Sequence, residues 1–184
     1  LTQRGKPDGN LYRLAIPNME IRNIFTTQIM EYFKESIKKD GETLNRLCTA
    51  LENGDADKVE QYFTTYLKKT ISIRDTFVQR ELKENFYHGM LLGILGMKDS
   101  WAISSNREAG DGYSDIIAET EDSQMGIIIE VKYAHDGNLE KSSQEALEQI
   151  RTTRYDEELK ENGVGKILRY GIACYLKRCR VVME

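Results

Sequence analysis

The run Gly126-Ile127-Ile128-Ile129-Glu130-Val131-Lys132-Tyr133 constrains this chain more than any other segment. β-Branched residues favour a pleated strand, and a strand sends successive side chains to opposite faces. Ile127, Ile129, Val131 and Tyr133 therefore share one face, and Ile128, Glu130 and Lys132 share the other. A carboxylate and an ammonium inside so apolar a strand cost several kcal/mol unless they are paired or bind something. Upstream, Asp115 sits on a second strand-like run, Tyr113 to Glu119. If the two runs form a hairpin, Asp115 comes to lie beside Glu130. Two carboxylates and a lysine then converge on one spot, equipment that suits a hard divalent cation and a phosphodiester.

The pattern Asp115, a gap, then Glu130-Val131-Lys132 resembles the PD-(D/E)XK nuclease superfamily, the restriction-endonuclease-like fold. Ser114 stands where the nominal motif has Pro. Three further stretches resemble one bacterial branch, in which the nuclease domain follows an AAA-ATPase-like domain: Ser105 to Asp115, Glu84-Asn85-Phe86-Tyr87-His88-Gly89, and Glu145 to Ile150. Tyr12-Arg13-Leu14-Ala15-Ile16-Pro17-Asn18 resembles the end of that branch's ATPase portion.

The resemblance implies a metal site of Asp115, Glu130 and the Val131 carbonyl, holding Mg²⁺ or Mn²⁺. Lys132 would orient the attacking water and stabilise transition-state charge. Glu84, with Glu81 as its alternative, would be an extra carboxylate near the metal, and Gln149 would reach the site or the substrate backbone. The implied activity is metal-dependent hydrolysis of nucleic acid, DNA ahead of RNA. Implied partners are that substrate and an upstream ATPase-like domain of the same protein. The alternative is a non-catalytic module that binds nucleic acid or protein and serves such an ATPase. The N-terminal helices also suit self-association into a homo-oligomer.

At 184 residues there is room for one full domain and a smaller piece. No run is long enough to span a membrane and no signal peptide is visible. Three cysteines make no disulfide framework, and Cys174 and Cys179 lack a second pair with zinc spacing. Reduced, buried thiols and a cytoplasmic location are expected. The net charge of −4 does not advertise nucleic-acid binding, yet basic residues crowd the last 35 positions, from Arg151 to Arg180. Gly163-Val164-Gly165-Lys166 lacks the first glycine and the Ser/Thr of a phosphate loop, and reads as a helix stop before a strand.

Periodicity predicts a strand over 11–14, then helices over 19–39, 43–52 and 57–69, with a boundary near 75. A long helix over 75–95 leads into strands over 101–106, 113–119 and 126–133. A helix over 139–162 and strands over 167–175 and 180–183 complete the chain. His88 reads as a packed helical histidine, His135 as a turn residue and Tyr155 as core. The expected architecture is α/β: a mostly helical appendage over 1–75, then over 76–184 an α-β-β-β-α-β-β core whose mixed central sheet is flanked by helices.

Overall fold

The computed structural model describes residues 2–3, 14–15, 41–71, 83–105, 116–120, 124–152, 159–161 and 163–184. The chain divides into two compact units, 1–39 and 40–184. In the first, β1 (Thr2–Gln3) pairs antiparallel with β2 (Leu14–Ala15). Of the strand expected over 11–14, Leu14 lies in β2 and 11–13 lie outside the described residues, while β1 is too short to leave a periodic signal. The helix expected over 19–39 lies outside the described residues.

The second unit runs α1 (Gly41–Glu52), α2 (Ala56–Thr70), α3 (Lys83–Leu95), β3 (Trp101–Ser105), β4 (Ile116–Thr120), β5 (Met125–Tyr133), α4 (Leu139–Thr152), β6 (Lys166–Tyr175) and β7 (Arg178–Met183). The sheet order is β3-β4-β5-β6-β7. Only β5 and β6 pair in parallel; the other neighbours are antiparallel. From α3 onward this is the α-β-β-β-α-β-β order of a restriction-endonuclease-like core: a mixed five-stranded sheet flanked by helices.

β5 occupies the centre because both of its faces are apolar. Ile127, Ile128 and Ile129 are all fully buried, as a strand covered on both sides requires. A parallel partner needs a crossover, and α4 supplies it. Asn138 starts α4: its Oδ1 accepts from the Lys141 N–H at 3.1 Å, and its own N–H donates to Asp136 Oδ1 at 2.9 Å. The helix then buries one stripe, Ser142, Ser143, Ala146, Leu147 and Ile150. Leu147 and Ile150 pack with Ile117, Ile128, Leu159 and Val164 in one cluster. Gly163, at φ +88°, is the expected helix stop, and residues 153–158 of that segment lie outside the described ones.

The other face of the sheet carries α1, α2 and α3. α3 buries Tyr87, His88, Met90, Leu91, Gly93, Ile94 and Leu95, too broad a set for a single stripe. The Tyr170 hydroxyl donates to the Leu51 carbonyl at 2.7 Å, tying β6 to α1. The Cys179 N–H donates to Thr64 Oγ1 at 3.3 Å, tying β7 to α2. Both helices thus belong to the same compact unit as the sheet; the boundary expected near 75 falls among undescribed residues. All three cysteines are free and buried, as their number suggested. Burial pushes the Cys48 and Cys179 thiols up to about 12, and Cys174 upward as well. Among the described residues no helix is long and apolar enough to cross a membrane.

Candidate active site

Glu130, Val131 and Lys132 lie on β5 beyond the last described pair of the hairpin with β4, Ile116 opposite Ile129. The antiparallel hairpin expected from sequence is therefore present, and the charged residues follow that pair directly. Asp115, one residue before β4, lies outside the described residues, as do Glu81 and Tyr155.

Alternation along β5 puts Glu130 and Lys132 on the side of α4, the side of Ile128. Glu130 is only 2% exposed, and its Oε1 lies 4.0 Å from Lys132 Nζ. The same Nζ donates to Gln149 Oε1 at 2.6 Å. The structure therefore brings Glu130, Lys132 and Gln149 together, from a strand and from the helix that follows it.

Glu84 approaches from α3, on the opposite face. Its Oε2 accepts from the Tyr133 N–H at 3.2 Å. Ala134 N–H donates toward β6, to Cys174 O at 2.9 Å. The preceding amide, Tyr133, hence points to the other edge, the side of β4. Glu84 takes up that backbone donor, beside Lys132 in the chain. Next to it, Lys83 Nζ lies 4.7 Å above the Tyr133 ring and donates to its hydroxyl at 3.3 Å. Tyr133 stacks on Tyr87 with ring centres 5.8 Å apart, and His135, exposed in the following turn, meets the same ring edge-on at 5.1 Å. His88 is buried, with Nε2 3.4 Å from Ser105 Oγ, the packed role expected of it.

One residue that positions this site escaped sequence reasoning. Gly171 on β6 lies directly opposite Glu130. A Cβ there would sit 2.2 Å from the Ser143 carbonyl oxygen and 2.6 Å from the Leu147 nitrogen. The missing side chain lets the backbone of α4 close onto the sheet beside Glu130, which brings Gln149 within reach of Lys132. An isolated glycine inside a strand is the available sign of such an approach.

Among the described residues no three His, Cys, Asp or Glu side chains cluster as a metal site. The donors at the end of β5 are nonetheless oxygen-rich: the Glu130 carboxylate, and the Val131 carbonyl, which by alternation faces the same edge as the Tyr133 N–H. Hard oxygen donors fit Mg²⁺ or Mn²⁺ rather than zinc.

A mixed sheet with Glu-x-Lys near the C-terminal end of its central strand, served by a helix on each face, defines a nuclease-type α/β domain. The chain belongs to the PD-(D/E)XK nuclease superfamily, whose family model matches residues 82–184. No curated protein matches the chain.

Proposed function

We propose that this chain is a divalent-metal-dependent nuclease that hydrolyses phosphodiester bonds in DNA or, second, RNA. The observation that carries the reading is the gathering of Glu130, Lys132 and Gln149 near the C-terminal end of β5, within a member of this superfamily. Continued by one residue, the register of Ile116 with Ile129 would set Asp115 opposite Glu130. Asp115, Glu130 and the Val131 carbonyl would then hold Mg²⁺ or Mn²⁺.

Such an ion, when bound, supplies Lewis acidity toward the phosphate and lowers the pKa of water. The protein's own groups do the rest. Lys132 presents a positive charge to the attacking water and to the oxygens of the pentacoordinate phosphorus. The Gln149 Oε1 accepts a hydrogen bond from Lys132 Nζ and so aims the ammonium. Glu84 fixes the end of β5 through the Tyr133 amide, holding Val131 and Lys132 in place from the far side of the sheet. The water oxygen forms the new bond to phosphorus while the sugar oxygen leaves. An ATPase-like companion region in the full protein remains part of the proposal, on the likeness of Tyr12–Asn18.

The test is cleavage of labelled single- and double-stranded DNA and RNA with Mg²⁺, with Mn²⁺ and with chelator. Wild type should cut only with metal, and Lys132→Ala should lose the activity while still binding the ion. A wild type that cuts nothing under any of these conditions points to the binding module instead. A Lys132→Ala variant as fast as wild type removes Lys132 from the chemistry.

A further inference from the structure

β6 and β7 are joined by a two-residue loop, Leu176-Lys177, closed by Tyr175 opposite Arg178. Three observations single out this tip. Leu176 is the exposed large hydrophobic residue among the described ones, at 39%. It also adopts φ +53°, a left-handed conformation that disfavours a residue with a branched side chain and that glycine usually occupies in such loops. Outliers of this kind collect at binding sites, where the surrounding structure must hold them. The fold does hold this one: the buried Tyr87 hydroxyl donates to the Leu176 carbonyl at 2.6 Å. The result is an apolar side chain presented outward on a braced turn.

The charges beside it point to the ligand. Arg169 and Arg180, on the same two strands, are paired with Glu184, and with Glu60 and Glu140. Lys177 and Arg178 form no salt bridge among the described residues. Two cations with no salt bridge among the described residues, next to one exposed apolar side chain, suit a polymer that alternates phosphates with apolar ring faces.

The tip also lies next to the site. Lys132 stands opposite Ala173, and the Tyr133 and Tyr175 rings are 5.8 Å apart. Leu176 is three residues beyond Ala173, about 10 Å at the rise of a strand. A short stretch of unpaired strand covers that distance.

We infer that the β6–β7 tip is a substrate-binding element for unpaired nucleic acid: Leu176 packs on a base a few nucleotides from the scissile phosphate, and Lys177 and Arg178 take the phosphates on either side. Apolar side chains inserted against bases do this elsewhere. Reaching the face of a base stacked in a duplex costs the unstacking of that step, which an unpaired base does not require, so single-stranded or frayed substrate is preferred. The inference rests on the nuclease reading and adds the form of its substrate.

The experiment measures binding of labelled single-stranded and duplex oligonucleotides by fluorescence anisotropy in EDTA, where nothing is cut. Leu176→Gly should relieve the backbone and leave the melting temperature equal or higher, yet weaken single-strand binding about 3–10-fold with little change on duplex. Leu176→Asn, which tolerates the same backbone, should behave alike. Lys177→Ala with Arg178→Ala should weaken binding and flatten its salt dependence by roughly one to two phosphate contacts. Leu176→Gly binding single strands as tightly as wild type overturns the inference and leaves the nuclease reading standing. Equal losses on both substrates overturn the base contact. A wild type that neither binds nor cuts any oligonucleotide overturns both readings, and the cleavage assay then marks the nuclease reading as the one that failed first.

Discussion

Lys132 is held more closely by Gln149, at 2.6 Å, than by Glu130, at 4.0 Å. An ammonium tied to a neutral amide keeps its charge available, whereas one locked onto a carboxylate is largely neutralised. Gln149 therefore positions the lysine without spending it. Gln149→Ala should lower turnover by about 10–100-fold, on the order of 1.4–2.7 kcal/mol of transition-state stabilisation, with metal affinity nearly unchanged. Gln149→Glu should lower turnover as well, by pairing the ammonium. Measured kcat and metal titrations check both; a Gln149→Ala enzyme with wild-type kcat would show that Lys132 orients itself.

Metal and charge at the end of β5 are opposed in the ion-free protein. Glu130 is buried, and a second carboxylate opposite it would repel it. Asp115→Asn should leave the ion-free melting temperature unchanged or higher while removing most of the stabilisation given by Mg²⁺ or Mn²⁺. At one hundred times the dissociation constant that stabilisation is about 2.7 kcal/mol, which a thermal shift resolves. A variant that melts well below wild type without metal would make Asp115 structural, and one with the full metal-induced shift would place the ion elsewhere.

Gly171 couples the packing of α4 to the site. Gly171→Ala forces a Cβ into the Ser143 carbonyl, and neither backbone can yield without moving the helix. The cost should be about 1–3 kcal/mol or more, read as a lower urea midpoint. Residual activity should fall further than the folded fraction does, because Gln149 moves with α4. Activity that tracks the folded fraction alone would separate Gly171 from the site.

How much of this was legible beforehand differs from element to element. β5 could be read because three consecutive isoleucines leave no alternative to a strand covered on both faces, and its two charges stood out against them. The hairpin with β4 was read from two neighbouring strand-like runs, and the order of elements from the helical pattern over 75–95 that leads into them. That Gln149 reaches the site or the substrate backbone rested on resemblance, since a half-exposed helix glutamine carries no signal of its own, and its bond to Lys132 was not foreseen. Glu84 was expected near a metal and is seen on a backbone amide, a contact across 49 residues that no local pattern marks. Gly171 and the Tyr87–Leu176 link are long-range contacts, and one-dimensional periodicity holds no trace of which backbone a glycine admits.

The thiols report on burial and on alkali. Cys48 and Cys179 have pKa values near 12, against about 8.5 for an unfolded thiol. Their folded values are raised, so the stability they contribute is complete below about 8.5 and falls as pH climbs toward 12. Native protein at pH 8 should react slowly with a thiol-specific dye, and all three cysteines should react promptly in guanidinium. Rapid labelling of native protein would contradict the packing of α1 and α2 on the sheet.

Two fragments test the division between a helical part, 1–75, and a nuclease part, 76–184. Residues 40–184 keep Leu51 under the Tyr170 hydroxyl and Thr64 against Cys179; residues 76–184 lose both. The longer fragment should be the more stable in urea, followed by circular dichroism. Equal midpoints would put the boundary at 75.

The parallel pairing of β5 with β6 also sets an order of events as the chain is made. Residues 134–165 must be synthesised before β6 can begin to close the edge of β5. Until then the strand bearing Glu130 and Lys132 is bordered on one side only, and Gly171, the seat of α4, does not yet exist. Glu130 and Gln149 are thus brought together only after β6 has been added, and a nascent chain that ends before Gly171 carries the residues of the candidate site without their final arrangement.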